Sequence, residues 1–197
     1  MHLVFDIFQG IGVAAAVGIR PFLPGLVTAA LAAAGAELSF THTRFHFLQQ
    51  TPFLLAMLVG VIVVALLERR WLRDEQDAWG PVGVLIALCG LAVGALLCGG
   101  AFARTHNLGW VGVGAGIVCA AIGLAATRPL LARVRGRLDT EAGGLLPALV
   151  EGAAALAAAL SVVAPPIGVI LVAALLWLLV AGRGRDEQKY AGLRILR

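Results

Sequence analysis

Five long apolar stretches, separated by short polar ones, set the pattern of this chain. They run from Leu3 to Gly35, Pro52 to Leu67, Pro81 to Phe102, Leu108 to Ala126 and Gly144 to Gly182. None alternates apolar and polar residues as a barrel strand does. Continuous apolar runs rich in Ala, Gly and Leu read instead as helices, which satisfy their own backbone polar groups in lipid. The stretches Pro81 to Ala103 and Gly152 to Gly182 carry no charge, and each exceeds the roughly 18 residues that a spanning helix needs.

The first and fifth stretches are too long for one simple span at a rise of about 1.5 Å per residue. Each is interrupted, by "GIRPFLPG" at Gly18–Gly25 and by "SVVAPPIG" at Ser161–Gly168. Proline has no N–H to give and its ring clashes with the preceding turn, so each stretch predicts a helix–break–helix unit. The expected fold is an all-α integral membrane domain over residues 1–182, with a basic tail at 183–197. Three full spans (52–67, 81–102 and 108–126) are flanked by two broken-helix hairpins (3–35 and 144–182). The apolar tip "VVAPPIG" suits a turn inside the membrane better than one in water, which favours re-entrant geometry.

Composition agrees. Of 197 residues 60% are hydrophobic and 13% charged, with a mean hydropathy of +0.95, whereas soluble domains are about 45–50% apolar. A cleaved signal peptide is not expected, because "MHLVFDIFQG" has no basic residue and Asp6 stands where one belongs. Cys89, Cys98 and Cys119 lie inside apolar stretches with no metal-type spacing and read as small buried hydrophobes.

Charge sets the orientation. Twelve Lys or Arg fall in the connection holding Arg69, Arg70 and Arg73, the one holding Arg128, Arg133, Arg135 and Arg137, and the tail. The other two connections hold only Arg44 and Arg104. This is a strong positive-inside asymmetry. It places the C-terminus in the cytoplasm of a bacterial inner membrane and makes the fifth stretch a hairpin that opens inward. By the mirror argument the first hairpin opens outward, with the N-terminus outside. Sliding the first stretch onto the fifth by 142 residues lays Gln9-Gly10 on Glu151-Gly152, Ala15-Ala16 on Ala157-Ala158 and Pro24 on Pro166. The two hairpins then resemble an inverted repeat, an arrangement that places substrate at helix breaks.

Embedded polar residues supply the candidate chemistry. Pro21 suits the first helical position, so Arg20 stands just before a helix N-terminus. Its guanidinium and that positive dipole end favour an anion, such as a carboxylate, phosphate, halide or lipid phosphate. Phe22 and Pro24 complete this break, and Pro165 and Pro166 the other. Glu151 is either a proton carrier or the ionic partner of Arg20, with Gln9 in the equivalent place. Ser161 caps freed backbone or touches substrate. The competing structural readings are an Arg20 that snorkels or caps carbonyls, and a Glu151 hydrated at the cytoplasmic face.

The outer connection "FTHTRFHFLQQ" places His42, Arg44 and His46 at alternate positions. Metal binding there lacks further ligands, and an interfacial segment anchored by Phe40, Phe45 and Phe47 is the favoured reading. Gly83, Ala87, Gly90 and Gly94 form one stripe, and Gly112, Gly116 and Ala120 another. They suit close packing of the third and fourth spans, or homodimerisation. The segments "RPLLARVRGRL" and "YAGLRILR" read as basic interfacial helices for anionic inner-leaflet lipids. Those loops also account for the basic pI without nucleic acid. No enzyme motif and no cofactor motif is present.

At "GIGVAAAVGIRPFLPGL" the chain resembles an uncharacterised bacterial integral-membrane family, a domain of unknown function. Its members carry a Gly- and Ala-rich first helix followed by G-x-R-P-F-x-P, here Gly18, Arg20, Pro21, Phe22 and Pro24. The resemblance implies a membrane fold and no established activity. A looser likeness, broken helices with a tip arginine, is to translocases of polyprenyl phosphate lipids, and it serves as analogy only. The expected function is a small transporter or channel for an anionic or phosphate-bearing substrate. A non-transporting accessory or assembly protein and a lipid-phosphate translocase are the alternatives.

Overall fold

The computed structural model describes residues 2–35, 40, 43–70, 80–106, 108–135 and 140–193. Among them are seven α-helices and no strand: α1 (His2–Ile19), α2 (Phe22–Ala33), α3 (Thr51–Arg70), α4 (Pro81–His106), α5 (Gly109–Arg135), α6 (Thr140–Val163) and α7 (Pro165–Leu193). A 3-10 turn at His46–Gln49 precedes α3. His42, Arg73, Arg137, Arg194 and Arg197 lie outside the described residues.

Four helical segments are long and apolar enough to cross a membrane: Val82–Arg104, Gly109–Val134, Leu145–Val163 and Pro165–Gly182. The chain therefore has the architecture of a multi-pass membrane protein. Two of these segments match the expected third and fourth spans. The other two are the arms of the fifth stretch, each long enough to cross by itself. The apolar parts of α1, α2 and α3 are shorter. The stretch expected as a basic interfacial helix begins as an unbroken continuation of α5 through Pro129 to Arg135.

α1 occupies the centre, where it packs against α4, α5, α6 and α7. Gln9, Gly10 and every residue from Gly12 to Gly18 are buried. Such a helix needs small residues, because backbones on all sides must come close. A Cβ on Gly18 would overlap the carbonyl of Ala120 in α5, and one on Gly12 would overlap Gly168 at the start of α7. Gly10 meets Cys98 and Ala101, whereas the Val17 carbonyl and Pro21 meet Gly90, so α1 runs antiparallel to α4. The glycine stripes of α4 and α5 meet in part within one chain: Gly94 faces Gly116 and Ala120, whereas Gly90 faces α1. A Cβ on Gly116 would sit 2.6 Å from the Gly94 carbonyl, and one on Gly112 2.8 Å from that of Cys98.

α2 ends as its sequence allows. Ala34 donates to the Ala30 carbonyl at 2.9 Å, and Gly35 takes the left-handed conformation (φ 73°) that terminates helices and favours glycine. The apolar residues left at the surface, such as Leu55, Val59 and Leu66 of α3, form faces suited to lipid. The expected interfacial anchors divide. Phe47 is exposed and stacks edge-on against Phe53, but Phe40 is fully buried beneath Gly100. Phe40 is a core residue.

Candidate functional site: two helix breaks

The first break separates α1 from α2. Arg20 N–H donates to Ala16 at 3.3 Å, the last bond of α1. Pro21 and Pro24 have no N–H, so the carbonyls of Val17 and Arg20 lack their helical donors. No side chain caps the start of α2. Arg20 and Phe22 are half-buried, and Pro21, Pro24 and Gly25 are buried. Four helices enclose this break. Gly18 lies against Ala120 of α5, Pro21 near Gly90 of α4, and Phe22 against Gly60 of α3, while α2 packs along α6.

The second break is a single residue, Ala164, between α6 and Pro165. Ala164 N–H closes on Leu160 at 2.8 Å and Ile167 N–H on Ala164 at 2.9 Å. Pro165 and Pro166 withhold the N–H groups that would have met Ser161 and Val162. Gln9 of α1, only 3% exposed, supplies one of them: its Nε2 donates to the Val162 carbonyl at 2.7 Å. Ser161 Oγ donates to the Ala157 carbonyl at 2.8 Å, one turn back in its own helix, and not to a carbonyl that the prolines free. Arg104 at the end of α4 reaches the same junction. Its Nη1 lies 3.2 Å from Asp6 Oδ1 and donates to Gln9 Oε1 at 3.5 Å.

The structure thus gathers Gln9, Ser161, Pro165 and Pro166 at one junction and Arg20, Pro21, Phe22 and Pro24 at another. Ser161 touches α1 at Gly12. Arg20 is eight residues further on, about 12 Å along the helix. Glu151 is half-buried on the face of α6 that carries Ala154, Ala155, Ala158 and Val162 inward. Arg20 and Glu151 both have interaction partners in the fold. Sequence reasoning missed Asp6 and Arg104 as a pair. The spacing of Asp6 and Gln9, one turn apart on α1, is the signal that points one helix face at a common partner. Among the described residues no group of three His, Cys, Asp or Glu is placed to hold a metal.

The chain matches no protein-family model, no curated protein and no solved structure.

Proposed function

We propose that this protein is a small membrane transporter or channel for an anionic or phosphate-bearing substrate, with Arg20 as the anion contact. The observation that carries this reading is a cationic, half-buried helix break against which α3, α4 and α5 pack, with α6 along α2. Uncapped N–H groups at the start of α2 add the positive end of a helix dipole, and an arginine at membrane depth is costly enough to point to function. Glu151 serves as the ionic counterpart of Arg20 or as a proton carrier.

Two features support a re-entrant first hairpin. Pro21 near Gly90 and Gly25 against Val93 suit an α2 that doubles back along α4. Its 12 residues span only about 18 Å. In this topology the N-terminus is outside and the C-terminus cytoplasmic, as the arginine asymmetry requires. The ends of α1 and α6 are 163 − 19 = 144 residues apart, close to the offset of the proposed inverted repeat. Their partner arms are unequal, at 12 residues in α2 and 29 in α7. Because Arg20 is about 12 Å along α1 from the second break, the substrate site belongs to the first break.

Purified protein in liposomes tests the proposal, with phosphate, halide and fluorescent phospholipid each assayed for movement. Wild type moves at least one of them above empty vesicles, and Arg20→Ala, still folded, falls to background. No movement in wild type, or an Arg20→Ala variant equal to it, defeats the reading. The close contacts that seal α1 against α5 and α7 favour a second one, a non-transporting accessory protein. That reading predicts tight vesicles and co-purification with a larger complex.

A further inference from the structure

Independently of Arg20, α5 and α7 enclose a cleft of about 210 Å³. Ala125, Pro129, Leu130 and Arg133 of α5 line it, recurring on one helix face, and Leu178 and Gly182 of α7 close it. Small residues, Ala125 and Gly182, lie on both sides of the cleft, and Pro129 lies within the continuous α5. Its depth is informative. The uncharged run of α5 ends at Thr127, before Arg128, and that of α7 at Gly182, before Arg183. The cleft therefore straddles the edge of the apolar layer, with Ala125 and Leu178 on the hydrocarbon side and the Arg133 guanidinium on the headgroup side.

We propose that this cleft binds one anionic phospholipid, with an acyl chain along the apolar floor and the phosphate on Arg133. Charge selects the headgroup. From Thr127 to Leu138 the chain has Arg128, Arg133, Arg135 and Arg137 and no acidic residue. Arg128 is partly committed, since its Nη2 donates to the Gly83 carbonyl at 3.0 Å and ties α5 to α4. Arg133 also interacts within the fold, but a guanidinium has five N–H donors, and phosphate oxygens accept two in parallel. Concavity distinguishes this place from the flat apolar faces of α3, which any lipid tail covers without selection.

The test is native mass spectrometry of the full chain in detergent, titrated with phosphatidylglycerol or with phosphatidylcholine. Two variants probe the two halves of the site. Arg133→Gln removes the charge. Gly182→Leu adds bulk at the edge of the cleft, and no described atom lies within 4 Å of a Cβ at Gly182, so the side chain is accommodated without a clash. The expected result is a saturable single phosphatidylglycerol adduct on wild type, stronger than any phosphatidylcholine adduct. Arg133→Gln should weaken it about fivefold, the equivalent of about 1 kcal/mol per basic residue at a membrane surface, and Gly182→Leu at least as much. Equal binding of the two lipids by wild type overturns the proposal, as does either variant binding phosphatidylglycerol like wild type.

Discussion

The two helix breaks are made of the same material and are answered differently. Each has two prolines that strip N–H groups from a buried helix junction. At Ala164 the rest of the protein closes the gap. Gln9 reaches across from α1 to the Val162 carbonyl, and Gly12 and Gly168 press the backbones together. At Arg20–Pro21 the surrounding helices bring glycines and apolar side chains, Gly90, Gly60 and Ala120, and the break itself brings a cation. A junction whose polar groups are closed by the protein serves packing. One that adds charge where packing would favour none holds chemistry in reserve. The second break is thus closed by a buried hydrogen bond from α1, and the first is where the proposed function puts its anion contact.

The comparison breaks most visibly where α1 is squeezed. Gly12→Ala and Gly18→Ala each drive a methyl into backbone, of Gly168 and of Ala120 respectively. Backbone cannot rotate aside as a flexible side chain can, so the loss should reach or exceed about 3 kcal/mol, the top of the usual overpacking range. Little folded protein should be recovered by size-exclusion chromatography in detergent. Gly152→Ala, on a helix face with no described atom within 4 Å of the added methyl, should behave as wild type. If all three run alike, α1 is not the close-packed axis of the bundle.

Next in size is Gln9. Gln9→Met keeps the volume and removes the donor, leaving the Val162 carbonyl buried without a partner at a cost of about 1–3 kcal/mol. Thermal unfolding in detergent reads it directly. Pro166→Ala sharpens the result, since an N–H restored at 166 can close on Val162 within the helix. Gln9→Met should therefore cost much less in the Pro166→Ala background than in wild type. Equal costs in both backgrounds would mean that Gln9 acts through something other than the proline gap.

Much of this was readable along the chain, and the limit is physical. Both breaks fall where their prolines predict, at Arg20–Pro21 and beside Pro165. Gly94 meets Gly116 and Ala120 as the small-residue spacing implies, because these are local rules of proline geometry and helix periodicity. The partnerships were not readable. Gln9 and Val162 are 153 positions apart, and Arg104 and Gln9 are 95 apart. Helix periodicity names a face without naming what packs on it. For the same reason α1 read only as one arm of a hairpin flanking three spans, although its run of Gly and Ala suits the central position it holds. Phe40 was misplaced because an aromatic residue in a polar connection looks the same at an interface and in a core.

The smallest expected effect concerns the ion pair beside the second break. Asp6 and Arg104 are 13% and 25% exposed and 3.2 Å apart, a partly buried pair; Asp6→Asn keeps an oxygen that accepts from the guanidinium and should cost about 1 kcal/mol. Raising the salt concentration should change the difference between wild type and variant little, because partly buried pairs are screened much less than exposed ones. What matters more is whether this pair reinforces Gln9. The Arg104–Gln9 contact, at 3.5 Å, is at the outer limit of hydrogen-bond length, whereas the Gln9–Val162 bond is short. Gln9 should then hold its carbonyl without help, and the costs of Asp6→Asn and Gln9→Met should add in the double variant. A shortfall beyond about 0.5 kcal/mol from additivity would show that Asp6, Arg104 and Gln9 act as one unit. The second break would then be an electrostatic junction like the first, and the contrast between the two would fail.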